Sequence, residues 1–530
     1  MKVLILTLFL LVSAIEILSG SNFTINPDIN VLHYEFNLIL NDSTDNIEGI
    51  AIILVKFNVQ TDHLMLDLKN TDQSGKGMKV ASVTISGQEA KWEHSGMLNI
   101  SLSKAVVEGS TLVITVRYSG IPRDGLIISK NKFGDRTFFA DHWPERASNY
   151  LPVVDYPSDK ATVDFIITAP SHYKVVASGY LVEESPLANG TTVTHWKEDV
   201  PLPVKVMAFG AAPFAVQLAG VVNNIPVWTW VYSENRKDGF NDYSIAVQPM
   251  EFYSKLIGPY SYEKLANVQS KTIFGGLENA GCIFYAENSV TGKGRDENLI
   301  AHEVAHQWFG NSVTEKEWHH IWLSEGFATY LTNVYTETKY GEDKFRENMW
   351  SDRNMVLRSD LWKPEPVIDT TITDLMRLLN TSTYQKGAWV LHMLRNEIGD
   401  EIFWKGMRLY YERFRNGNAL TSDFMKVMEE VSGKDLRNFF YQWLYIPGEP
   451  DLRIRLSSGE KAGTMKISVE QRQDYLYTFT IQLLLEDSSG GRIVSIPVSE
   501  KWTTLNVKAE KDVKVTPDPA VKLLFRSVEK

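Results

Sequence analysis

The chain has 530 residues, 44% hydrophobic and 22% charged, with a net charge of −11. That length exceeds one compact core and suggests roughly three domains. The composition excludes a disordered or fibrous chain, and an acidic balance without basic runs excludes a surface built for nucleic acid.

At the N-terminus Lys2 precedes an apolar run from Val3 to Val12, and the small residues Ser19, Gly20 and Ser21 follow. This is the layout of a secretory signal peptide cleaved near residues 19–21. The uncharged stretch ends at Glu16, short of the ~20 residues that a spanning helix needs. Residues 1–20 are therefore expected to be removed, with export to a periplasm or extracellular space. No later stretch is long and apolar enough for a stable membrane span.

Residues 21–220 alternate with period two. In "YEFNLIL", Tyr34, Phe36, Leu38 and Leu40 share one face. "TLVITVRYSG" repeats the pattern and stops at a glycine turn, and "ATVDFIITAP" stops at Pro170. A β-rich first domain is expected. From 221 to 446 helical periodicity takes over, through "DENLIAHEVAHQWFG", "SEGFATYLTNVYTETKYG", "YQKGAWVLHMLRNEIG", "EIFWKGMRLYYERFRNG" and "TSDFMKVMEEVSG", several of them closing on glycine. Some strand precedes them in "ANVQSKTIF". Cys282, the single cysteine, forms no intrachain disulfide and is expected as a buried small apolar residue. After the Pro/Gly break "YIPGEPDL", alternation returns in "YLYTFTIQL", so 447–530 are expected to form a small β-sandwich.

The chemistry sits in "HEVAHQW". On a helix capped by Asp296, His302 and His306 project from one side, one turn apart. Two imidazoles so placed can grip one zinc ion, and Glu303 is offset so as to reach a bound water without being a ligand. A catalytic zinc needs a third protein ligand. Glu325, nineteen positions after His306, opens a second, antiparallel helix on an otherwise apolar segment, where a carboxylate is costly unless it is paired or binds metal. His319 and His320 are rival ligands in the connector, without fixed helical geometry.

The run "HEVAHQWFGNSVTEKEWHHIWLSEGFATY" resembles the zinc signature of the aminopeptidase N family of gluzincin metallopeptidases, to which leukotriene hydrolase is related. "GGLENAG" at 275–281 resembles the family's exopeptidase motif, with Leu277 where methionine is usual. "TYQKGAWVLHML" resembles its catalytic-tyrosine segment, and "ADHWPERASNYLPVVDYPSDKATVDFIITAP" a stretch of its N-terminal saddle-shaped domain. The resemblance implies a multidomain α+β fold: a β-rich saddle domain, a thermolysin-like, mostly helical catalytic domain and a C-terminal β-sandwich. It implies one zinc ion on His302, His306 and Glu325, Glu303 as general base, Tyr384 as donor to the oxyanion and Glu278 as anchor of a peptide's free N-terminal ammonium. Gly275 and Gly276 would let backbone approach that peptide, and Asp141 is the candidate for a second acidic group on the amine. The C-terminal helical domain of many relatives has no counterpart here, so the cleft is expected to be open or covered by a second copy in a homodimer. The expected activity is a zinc aminopeptidase acting on peptides. The alternatives are a zinc endopeptidase, which needs no free amine, and an inactive peptide-binding relative, which needs neither Glu303 nor Tyr384.

Overall fold

The computed structural model describes residues 26–361, 363–461, 463–488, 490–510 and 512–527. The expected signal peptide and its cleavage point lie outside the described residues. Among the described residues no helix is long and apolar enough to cross a membrane.

The alternation in the first domain becomes one eight-stranded sheet accompanied by sheets of four and three strands. Strand Ile29–Ile39 lies inside the large sheet. It pairs antiparallel with Ile47–Phe57 and parallel with Lys160–Pro170. Its Tyr34, Phe36 and Leu38 are buried on one face, as period-two packing requires. One strand near the expected boundary at 220 joins a different sheet from those before it. Strand Phe214–Val222 pairs with Ile225–Tyr232 and so opens a five-stranded sheet, ahead of the boundary expected at 220. Alternation reports which face of a strand is buried and not which sheet it joins, so the change of sheet at Pro213 left no mark in the pattern.

Strands Leu265–Ser270 and Cys282–Ala286 continue that sheet in parallel, and the two-residue strand Gly276–Leu277 closes its edge antiparallel. Cys282 is fully buried. Beyond the sheet lie helices Glu297–His306, Trp322–Tyr340, Glu342–Asp360, Gly387–Ile398, Asp400–Phe414 and Thr421–Ser432. The periodicity did not single out Glu342–Asp360, polar over most of its surface, or the shorter helices Arg236–Tyr243, Val247–Leu256 and Arg437–Leu444. The C-terminal residues form sheets of four and three strands. Strand Phe479–Asp487 begins later than "YLYTFTIQL" suggests. The Gln471 side chain donates to the carbonyl of Tyr477 (2.9 Å) and accepts from its N–H (3.0 Å), which replaces the ladder there.

The first two domains are joined by charge. Lys205 pairs with Glu315, and both are at most 2% exposed. Lys160 donates to the carbonyls of Asn311 (3.1 Å) and Ser312 (2.9 Å), in the turn that follows helix Glu297–His306. Removing one member of a buried pair leaves an uncompensated charge, at a cost of about 3–5 kcal/mol. Lys205→Met should therefore lower the midpoint of chemical denaturation by a margin equivalent to that cost; an unchanged midpoint would show the pair to be dispensable.

Candidate metal centre

Helix Glu297–His306 buries Ile300, Ala301, Val304 and Ala305, and the Tyr253 hydroxyl donates to the Ala301 carbonyl (3.1 Å). Asp296 stands at its N-cap, but its side chain makes no capping bond, contrary to the sequence expectation. The Nε2 atoms of His302 and His306 lie 3.0 Å apart. Helix Trp322–Tyr340 brings Glu325 Oε2 to 3.4 Å from His302 Nε2 and 3.2 Å from His306 Nε2. Ligands about 2.0–2.1 Å from a tetrahedral ion are separated by roughly 3.3 Å, so the three donor atoms occupy one face of such a tetrahedron. Among the described residues they form a His–His–Glu group that could hold a metal. His319 and His320 do not join them. His319 Nε2 contacts the Ile372 carbonyl and His320 Nδ1 the Thr421 hydroxyl.

Two features aim these ligands. His306 Nδ1 lies 3.2 Å from the Phe309 carbonyl and 3.0 Å from Ser324 Oγ. Donation to the carbonyl leaves the Nε2 lone pair facing the metal group. The chain comes back close enough to do this at Gly310 (φ 122°), where a Cβ would meet Ser324 Oγ and His306 Nδ1. Helix Trp322–Tyr340 also packs on the tyrosine segment glycine to glycine. A Cβ on Gly326 would stand 2.9 Å from backbone atoms of Gly387. That crossing sits one residue after Glu325 and three after Tyr384. Tyr384 itself lies in a π-helical turn, Ser382–Lys386, an inserted-residue geometry common at functional sites. Its ring lies parallel to that of His302, with centroids 5.9 Å apart. Burial, reinforced by the nearby carboxylates, raises the Tyr384 pKa, so its hydroxyl keeps its proton and can donate.

Around the group lies a pocket lined by Glu278, Glu303 and Tyr384 together with Trp143, Phe274 and Leu379. Glu278, Glu303 and Glu325 are each about 95% buried, being 4–5% exposed, and no Lys or Arg lines the pocket. Burial drives Glu303 well above the usual carboxylate range. Among the described residues Glu278 Oε1 has no hydrogen-bond partner. Its carbonyl is held by Gln307 Nε2 (2.9 Å) and Asn311 Nδ2 (2.6 Å), so the "GGLENAG" loop hangs from the end of the histidine helix. Trp143 was not picked out from the sequence as a lining residue. It belongs to the first domain and is placed by edge-to-face contacts with Phe274 and Trp318, which no local pattern reveals.

The remaining candidates are placed as follows. Asp141 is fully buried, pairs with Arg146, accepts from Thr272 Oγ1 (3.0 Å) and Ile273 N (3.1 Å), and does not line the pocket. It holds the segment before "GGLENAG" and does not face the pocket. Gly275 has open space where a Cβ would stand. At Gly276 a Cβ would overlap the Glu303 carboxylate, so that glycine makes room for the Glu303 side chain. Gly276→Ala should therefore displace Glu303, lowering kcat by about 100-fold, the scale of lost acid–base catalysis, while metal content by atomic absorption stays at the wild-type level. Full activity would show that the carboxylate has another place to go.

Residues 30–204 match the Peptidase M1 N-terminal domain, and residues 242–443 the Peptidase family M1 domain. A leucyl aminopeptidase of Saccharolobus solfataricus is 26% identical over 517 residues, which is 92% of this chain and 62% of that protein. A human glutamyl aminopeptidase is 24% identical over 464 residues, 82% of this chain and 48% of that protein. The crystal structure of Legionella pneumophila aminopeptidase A in complex with aspartic acid superposes with a TM-score of 0.83 at 18% identity, covering 96% of this chain and 60% of that one. The chain thus spans about half to three-fifths of the length of these relatives. With both family domains in sequence, the His–His–Glu group assembled within the second of them and the shared fold, the chain belongs to peptidase family M1.

Proposed function

We propose that the protein is a zinc aminopeptidase that removes the N-terminal residue from peptides. The observation that carries this reading is a charge imbalance. Three carboxylates lie buried around two imidazoles, with no Lys or Arg in the pocket wall. Buried charges persist only when compensated. A divalent ion on His302, His306 and Glu325 supplies two positive charges, and a substrate ammonium at the unpartnered Glu278 Oε1 supplies the third. An endopeptidase, whose substrate has no charged amine at the cleavage site, would leave Glu278 without a partner. The Leucyl and Glutamyl aminopeptidase names of the relatives support the same class.

In this reading the bound zinc would acidify a water and polarise the first peptide carbonyl. Glu303 accepts the proton of the attacking water and passes it to the departing amine. The raised proton affinity of its buried carboxylate suits that relay. Tyr384 donates its hydroxyl hydrogen to the oxyanion that develops at the carbonyl. Glu278 fixes the ammonium and so sets the cut one residue from the end. The edge strand Gly276–Leu277 offers unpaired backbone groups alongside the peptide. Export belongs to the same proposal and rests on residues 1–20; N-terminal sequencing of the mature protein should begin near residues 19–21.

Two variants test the chemistry. Glu303→Gln should retain zinc but lose at least about 100-fold in kcat; normal turnover in the metal-replete variant removes the general-base role. Glu278→Ala should lower kcat/KM on free-amine aminoacyl-coumarins by about 100-fold, the scale of losing one partner of a buried charge pair. In the wild type, chelator should abolish hydrolysis and N-acetylated substrates should not be cleaved. Equal cleavage of acetylated and free substrates would make the enzyme an endopeptidase.

A further inference from the structure

Two residues after Tyr384 lies Lys386, which is fully buried. Successive helical residues are rotated by about 100°, so positions two apart face nearly opposite ways. Tyr384 faces the pocket, and Lys386 faces the join between the central and C-terminal domains. Its ammonium donates to the Gly448 carbonyl of the interdomain segment (2.7 Å). The same carbonyl accepts from the Tyr477 hydroxyl of the C-terminal domain (3.2 Å). Two acidic residues, Asp360 at the end of helix Glu342–Asp360 and Glu449 in the segment, bear on the Lys386 charge, and each is 7% exposed. Glu449 in turn binds Arg526 (2.7 Å), whose guanidinium also donates to the Leu357 carbonyl (3.0 Å). Four charged groups from four segments of the chain thus converge behind the π-turn.

Such a cluster is an expensive way to fill a domain join, because apolar residues of equal volume often do as well. Its place explains the expense. A π-turn carries a residue more than the regular helix accommodates, and Gly387 fixes only its far end through the contact with Gly326. Lys386 supplies a second fixed point on the side away from the pocket.

We propose that Lys386 is a positioning residue for the reaction: its bond to the Gly448 carbonyl, flanked by Asp360 and Glu449, holds the π-turn so that the Tyr384 hydroxyl meets the oxyanion. This rests on the oxyanion role given to Tyr384 above. It also makes the C-terminal domain, through Tyr477 and Arg526, part of the support of the active site.

A double-mutant cycle separates this role from a structural one. Lys386→Met should lower kcat at least about tenfold, part of the roughly 100-fold that an oxyanion donor contributes, with zinc content and KM near wild type. Lys386→Arg, which keeps the charge and a donor, should recover most of the loss. In a Tyr384→Phe background the Lys386→Met change should cost less than about twofold, because the hydroxyl it places is gone. An equal loss in both backgrounds, or no loss in the wild-type background, overturns the proposal. Should Tyr384→Phe alone leave kcat intact, the oxyanion role fails and the positioning role with it. An additive cycle with an impaired Tyr384→Phe removes the positioning role alone. If Lys386→Met does not fold, Glu449→Gln at the outer side of the cluster serves in the same cycle with the same expected non-additivity.

Discussion

The structure depends on a balance of buried charge. Glu278, Glu303 and Glu325 sit within one pocket, each almost wholly removed from water, and the wall contributes no Lys or Arg. Left uncompensated, such a group of like charges would take up protons or open the pocket. The proposed metal and substrate ammonium match it in sign. A cation held by the histidines and Glu325 would compensate the centre permanently. In the proposed reading the amine of a peptide would compensate Glu278 only while the peptide is bound, which would turn an unfavourable site into a reason to bind free N-termini.

Holding three carboxylates and two imidazoles to within a few tenths of an ångström requires rigid neighbours, and the chain supplies them mainly through backbone. The Gly326–Gly387 crossing brings the Glu325 helix and the Tyr384 turn closer than any side chain would allow. Gly276 leaves room for the Glu303 carboxylate, and Gly310 lets the chain return against His306. Gln307 and Asn311, directly after the histidines, hold the carbonyl of Glu278. The two motifs that the sequence presents separately, "HEVAHQW" and "GGLENAG", are therefore one mechanical unit. The charged cluster behind Tyr384 extends that unit to the C-terminal domain.

Much of this was legible in the sequence because it is local. The i, i+4 histidines, the offset Glu303 and the apolar surroundings of Glu325 are properties of single helices, and the structure brings the metal-group residues together as the spacing implied. Strand faces in the first domain were legible for the same reason. What the sequence hid depends on contacts between distant segments. Asp141 is a case in point: its oxygens are occupied by Arg146, Thr272 and Ile273, two of them far away in the chain. Trp143 reaches the pocket from another domain, and the change of sheet at Pro213 falls within continuous strand patterning. Lys386 looked like part of a helix-forming run, because nothing near it in sequence announces Gly448.

The central claim is that one pocket holds a metal on His302, His306 and Glu325 and a substrate amine on Glu278. Diffraction at the zinc absorption edge, from crystals soaked with a non-hydrolysable free-amine dipeptide analogue, tests both halves in one map. The account predicts an anomalous peak at the centre of the two Nε2 atoms and Glu325 Oε2, with the analogue's amine within hydrogen-bond distance of Glu278 Oε1. A peak elsewhere, or an analogue bound with its amine turned away from Glu278, would contradict it.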